Sequence, residues 1–286
     1  MKTNREKLQH NFLRRVILRI DYKGLIDIKD TVKGMQELLK TDFTEMQEEF
    51  INELEFELND PIEIESQRSI PLKKVLETKS YKFMTPSKDM QLDINSFFIA
   101  LNINVEEYKK FESYGPMFIK LFCSMVPGNP YLEPLRIGFR KINNCIIKEY
   151  DTISKCFNKD IFPSIETSLV ELDYAVKQLN SSYTDNLLHE NFMLNYVRTI
   201  TEGEIYANDQ SQTAYQIAID IDGYNNDKEW LKDIIKSETA ISSAFTTIND
   251  ILFKLYTDTL TDSFISELEK TKFDNTGIIG VKLNGI

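Results

Sequence analysis

The sequence predicts an α+β fold built on a largely antiparallel sheet, and three observations carry that prediction. Residues 135–143, Leu135-Arg136-Ile137-Gly138-Phe139-Arg140-Lys141-Ile142-Asn143, alternate with the period of a strand. Other alternating runs are joined by short Pro, Gly, Asp and Asn punctuation, as hairpins require. Apolar residues at helical spacing are confined to a few blocks, the longest from Asp227 to about Lys270.

Length and composition set the scale. The 286 residues suffice for a substantial core, and 42% hydrophobic with 28% charged residues is ordinary for a soluble globular chain. We expect one continuous globular unit with a ferredoxin-like half over 1–150. Further antiparallel strands and a helical region follow over 151–286. No apolar run approaches the ~20 residues of a membrane helix, and the charged start Met1-Lys2-Thr3-Asn4-Arg5 precedes no apolar signal region, so a cytoplasmic location is expected.

In chain order, Phe12 to Tyr22 reads as a strand with Val16, Leu18 and Ile20 on one face and mainly arginines on the other. Ile28 to Leu58 reads as helix, through Val32, Met35, Leu39, then Met46, Phe50 and Leu54, split near Asp42 or Thr44; its second half is strongly acidic. Pro61 and Pro71 mark turns around a short strand at 62–65. A hairpin about Pro86-Ser87-Lys88-Asp89 joins 81–85 to one long arm, 91–102. Helix is expected over 106–125, kinked at Gly115-Pro116, and then the arginine strand, completing a βαββαβ order. The second half offers a segment at 165–179 and strands at 190–201 and 213–221 about a polar loop. The helical region 227–270 lies across the sheet, and the apolar tail 277–286 adds an edge strand to the chain's own sheet or to a partner.

Alternation places Arg136, Gly138, Arg140 and Ile142 on one face, so two guanidinium groups flank a glycine where something could lie close to the backbone. Arg15 and Arg19 join them if the two strands are neighbours, and together they form a candidate site for an anion, phosphate or carboxylate. The competing reading is structural, with both arginines paired to the acidic helix at 42–58. Asp220 and Asp222 share a strand face at a spacing two carboxylates could use for a divalent cation; the plainer account is an Asp222-Gly223 turn followed by an Asp227 helix cap.

Other chemistry is weakly represented. The two histidines, His10 and His189, are poorly placed for a triad or metal pair, and no GxxxxGK[ST], GxGxxG or Gly-x-Ser-x-Gly motif occurs. Cys123, Cys145 and Cys156 lack CxxC spacing and read as reduced core thiols. No cofactor is expected. Aromatic residues at 11% are dense around Phe97, Phe98, Tyr108, Phe111, Tyr114 and Phe118, where helical spacing favours a core over a base-stacking platform. A net charge of -11 disfavours sequence-independent nucleic-acid and anionic-membrane binding.

The run Arg136-Ile137-Gly138-Phe139-Arg140-Lys141-Ile142-Asn143 is joined by Phe97-Phe98-Ile99-Ala100-Leu101 with Tyr108 and Phe111. Phe253, Leu255-Tyr256-Thr257 and Leu260-Thr261 lie near the end. Together they resemble the sporadically distributed family of uncharacterised bacterial proteins marked by an Arg-Ile-Gly-Leu-Arg-Tyr-Ile-Asn-like strand. Phe139 and Lys141 stand where that family usually carries leucine and tyrosine. The resemblance implies no reaction, and its sporadic distribution implies mobile-element or phage-defence loci.

The expectation that follows is a non-enzymatic binding or regulatory component working through protein contacts, its partner the product of an adjacent gene. Two alternatives stay open: a metal-dependent enzyme on nucleic acid or nucleotide using Asp220 and Asp222, and a sensor of a small anion at Arg136 and Arg140. The oligomeric state is left open.

Overall fold

The computed structural model describes residues 3–56, 72–105, 110–162, 180–207 and 210–283. After a 3-10 turn at Arg5–Lys7 come β1 (His10–Asn11), β2 (Leu13–Lys23), α1 (Ile28–Asp42), β3 (Glu45–Phe56), β4 (Leu72–Met84), β5 (Met90–Asn95), β6 (Phe98–Asn104), α2 (Phe111–Met125) and β7 (Glu133–Ile147). The second half holds α3 (Tyr150–Cys156), β8 (Asn180–His189), β9 (Phe192–Ala207), β10 (Gln210–Asn225), α4 (Lys228–Ile234), α5 (Glu238–Thr259), α6 (Asp262–Leu268), β11 (Ile278–Ile279) and β12 (Lys282–Leu283).

Nine strands hydrogen-bond in the order β3-β4-β5-β6-β2-β7-β10-β9-β8, and β11 adds a tenth on the end of β7. Every described pairing is antiparallel, including the separate β1-β12 ladder made by the tail. β7 is the seam: it pairs with β2 on one side and β10 on the other, so one sheet runs through both halves of the chain.

Strand alternation assigns the two faces. Val16, Leu18, Ile20 and Tyr22 of β2, Ile137 and Phe139 of β7, and Ile217, Ile219 and Ile221 of β10 are buried on one of them. α2 and α5 meet that face through aromatic rings: Phe111 lies 5.8 Å from Phe139, Phe118 5.8 Å from Phe245, and Phe139 6.2 Å from Phe245. A second cluster joins Phe12 to Phe157, Tyr256 and Phe264. Gly223 lets α5 approach closely, since a Cβ there would stand 2.8 Å from Ile248 Cγ2 and 3.1 Å from Leu252 Cδ2.

Several expectations need correction. The acidic stretch expected as helix over 42–58 is the edge strand β3 from Glu45 onward. Apolar residues four apart, such as Met46 and Phe50, share a face in a strand as well as in a helix. Pairing with β4 along the whole of β3 makes the choice, and lysines of β4 answer the acidic residues: Glu48 pairs with Lys79, Glu49 with Lys82 at 2.5 Å, and Lys79 lies over the Phe50 ring at 5.6 Å.

The single arm expected over 91–102 is two strands, turned where Asn95 Oδ1 accepts from the N–H groups of Phe97 and Phe98. Of the helix expected over 106–125, residues 106–109 fall outside the described residues; α2 runs from Phe111 without a break through Gly115-Pro116, where a kink was expected. β9 and β10 extend through most of the segment expected as a polar loop, and β8 is an additional strand. No turn interrupts Asp222-Gly223, because β10 continues to Asn225. The helical region 227–270 is three helices, capped by Asp227, Ser237 and Thr261. His10 is buried within β1. The expected turns at Pro61 and Pro71, the strand at 62–65 and the segment at 165–179 fall outside the described residues. Among those described, no helix is long and apolar enough to cross a membrane.

Candidate functional site

The face opposite the helices carries the charged residues. The β2-β7 register sets Arg19 against Gly138, Ile17 against Arg140 and Asp21 against Arg136. The β7-β10 register sets Asp222 against Arg140, Asp220 against Ile142 and Tyr224 against Gly138. The four arginines expected to form a patch thus do share one face, but aspartates are interleaved with them.

Each arginine is engaged. Arg136 Nη2 donates to Asp222 Oδ2 at 2.7 Å, and Nη1 lies 3.5 Å from Asp21 Oδ2. Arg140 grips Asp220 with two donors, Nε to Oδ1 at 2.7 Å and Nη2 to Oδ2. Arg19 reaches Asp21 through Nε at 2.7 Å and Nη2 at 2.6 Å. Arg15 Nη2 donates to Asn102 Oδ1 at 3.2 Å, and the Asn102 amide donates to Asp93 Oδ2 at 2.9 Å, carrying the network to β5. Two guanidinium groups lie over rings: Arg19 is 4.0 Å from the Phe98 ring centre and Arg136 4.6 Å from that of Tyr224.

Gly138 is where alternation left room beside the backbone, and the occupant is the chain's own Arg136. A Cβ at Gly138 would meet Arg136 Nη1 at 2.8 Å and Nη2 at 2.9 Å. The structural reading of Arg136 and Arg140 therefore needs different partners from the ones expected. The acidic segment lies at the far edge in β3, with β4, β5, β6 and β2 between it and β7.

Electrostatics is balanced across this band. The band carries four guanidinium groups, Arg15, Arg19, Arg136 and Arg140, and four carboxylates, Asp21, Asp93, Asp220 and Asp222; Arg19 and Arg136 share Asp21, and Arg15 connects to Asp93 only through Asn102. Burial raises the Asp222 carboxyl above its ordinary range, against the pull of Arg136 and Arg140. Burial likewise raises Asp93. The bond to Asp220 raises the Arg140 guanidinium. Ile17, Arg19, Asp21, Arg136, Gly138, Arg140 and Asp222 line a shallow depression of about 380 Å3. Its lining contains donors and acceptors but no hydroxyl, thiol or imidazole. No group of three or more His, Cys, Asp or Glu disposed to hold a metal occurs among the described residues.

Three charged residues carry more than their sequence positions advertise. Asp21, two residues after Arg19 and so on the same face, bridges Arg19 and Arg136; the alternation of β2 is the signal for it. Arg198 is buried, lies over the Tyr196 ring at 4.3 Å and donates to Asp185 and to the Ile161 carbonyl. Nothing in the local pattern distinguishes it from an exposed strand arginine. Lys141 sits on the helix-covered face and donates to Asn249 Oδ1 of α5 at 2.5 Å. Its position between Phe139 and Asn143 is the available sign. Cys123 belongs to α2, and burial pushes its thiol up to about 11, away from nucleophilic character.

Compared with models of known protein families and with the curated proteins, the chain matches none.

Proposed function

We propose that the chain is a non-enzymatic binding or regulatory component acting through protein contacts, with the arginine and aspartate face as its recognition surface. One observation supports this above the others: Arg19, Arg136 and Arg140 are each bonded to a carboxylate, in a shallow depression whose described lining has no hydroxyl, thiol or imidazole. Bonded and ring-stacked groups are already ordered, so a partner meets a charge pattern that needs little further ordering. Alternating signs suit recognition of another patterned protein surface more than capture of one anion, since an anion would compete with Asp220 and Asp222 for the same donors. In the metal-dependent reading those carboxylates would have to leave Arg140 and Arg136 to bind a cation.

The likeness to the sporadic bacterial family rests on the strand that organises this face, and it supports a partner encoded by an adjacent gene, in a mobile-element or phage-defence locus. We also read the N-terminal half as ferredoxin-like with an inserted β3-β4 hairpin. The order β7-β2-β6-β5 supports this, because it sets the first strand of the unit between the last and the third. The C-terminal helical region we read as laid across the sheet, supported by Phe245 against Phe139. The test of function is co-expression with the adjacent-gene product, followed by size-exclusion chromatography and calorimetry. A stable complex weakened by Arg136→Ala supports the reading; magnesium- or manganese-dependent cleavage of nucleic acid lost in Asp220→Asn and Asp222→Asn would replace it with the enzyme.

A further inference from the structure

A second polar cluster lies on the other side of β7, under the N-terminal turn and α5. Arg5, Asn11, Leu13, Lys141, Asn143 and Phe253 are among the residues around a cavity of about 40 Å3, room for one or two water-sized groups. Its walls are mainly apolar, and two cations stand in them. Arg5 is held in place by Asp250 at 2.9 Å, by the Asn249 carbonyl at 2.5 Å and by the Phe253 ring at 4.8 Å. Lys141 is held by Asn249 Oδ1 and by the Phe139 ring at 5.3 Å.

Arg5 and Lys141 bring more N–H groups than their bonds to Asp250 and Asn249 use. Arg5 Nε is buried and has no hydrogen-bond partner among the described residues, and an ammonium offers three N–H groups, of which the bond to Asn249 uses one. A buried donor without an acceptor is costly, and two cations at one small cavity repel each other. An acceptor carrying negative charge would resolve both. We infer that the cavity is a binding site for one small monovalent anion of halide size, held between Lys141 and Arg5. Asp250 of α5 and Glu112 of α2 are the acidic groups that act on Lys141, and Asp250 is already bonded to Arg5.

The surroundings of Lys141 have a definite protonic consequence. Burial, and then the charge of Arg5, push the Lys141 amine down to about 7, against the pull of Asp250 and Glu112. An anion beside Nζ favours the charged form, so binding is coupled to proton uptake and weakens as pH rises above 7.

Thermal melting of the full chain in sodium chloride and in sodium gluconate, at equal ionic strength, tests this at pH 6 and pH 9. Gluconate is too large for the cavity. The expected result is a higher melting temperature in chloride at pH 6, a smaller difference at pH 9, and no such difference in Lys141→Met or Arg5→Gln. Should Lys141→Met fail to fold, Arg5→Gln carries the comparison. Crystals soaked in sodium bromide should show an anomalous-scattering peak within hydrogen-bond reach of Lys141 Nζ. An equal chloride response in wild type and variants, a response indifferent to pH, or no bromide peak in the cavity overturns the inference.

Discussion

The guanidinium of Arg136 lies across Gly138, so close that a single added methyl would stand 2.8 Å from Nη1. Gly138→Ala should therefore move Arg136 off Asp222 and Asp21. The stability cost should stay within about 1 kcal/mol, because the displaced atoms end a flexible side chain and alanine is a better strand residue than glycine. Partner binding should fall by far more than stability does. Melting curves and binding isotherms on the same variant separate the two effects.

Arg140→Ala should cost about 1 kcal/mol or less despite its two bonds to Asp220. Its side chain is 44% exposed, and exposed pairs are screened by water. The arginine to fear losing is Arg198, whose side chain is 6% exposed. Its truncation strands the Ile161 carbonyl and empties the space over Tyr196, so Arg198→Ala should destabilise by about 3 kcal/mol. Urea unfolding of the two variants checks the ranking, which fails if Arg140→Ala proves the worse.

Gly223→Val should push α5 from the sheet, since its first carbon alone meets Ile248, Leu252 and Leu194 at 2.8, 3.1 and 3.3 Å. Overpacking of this kind costs about 1–3 kcal/mol. A denaturation midpoint equal to that of wild type would show that α5 does not press on β10.

Lys141 should give stability a particular pH dependence. Its folded-state value of about 7 lies below the ~10.4 of an unfolded lysine, so between those limits the unfolded chain binds more protons. Stability should accordingly rise with pH across that window, by at most about 1.4 kcal/mol per pH unit from this group. In Lys141→Met that component should vanish. Matching slopes in chloride-free buffer would place the amine in water instead of beside Asn249.

How much of this was legible in the residues divides along physical lines. The arginine strand, β2 and the alternation of both were readable, because two-residue periodicity survives without tertiary context; that the two strands lie side by side was not. The partners of Arg136 and Arg140 were not: which aspartates face them depends on the β7-β10 register, set by contacts far apart in sequence. β3 was misread because Met46 and Phe50 fit both periods, and the pairing that decides between them is with β4, distant in sequence. Asp220 and Asp222 were recognised as sharing a face, yet the Asp-Gly pair suggested a turn where the close approach of α5 requires a glycine in an unbroken strand.

The most direct test of the recognition surface is a charge swap. In Arg140→Asp with Asp220→Arg the pair keeps its attraction while the pattern shown to a partner is reversed. The affinity of this double variant for the adjacent-gene product, measured by calorimetry beside wild type, decides the matter. The account predicts a melting temperature close to that of wild type and binding weakened at least tenfold, about 1.4 kcal/mol. Undiminished binding by a folded double variant would contradict it.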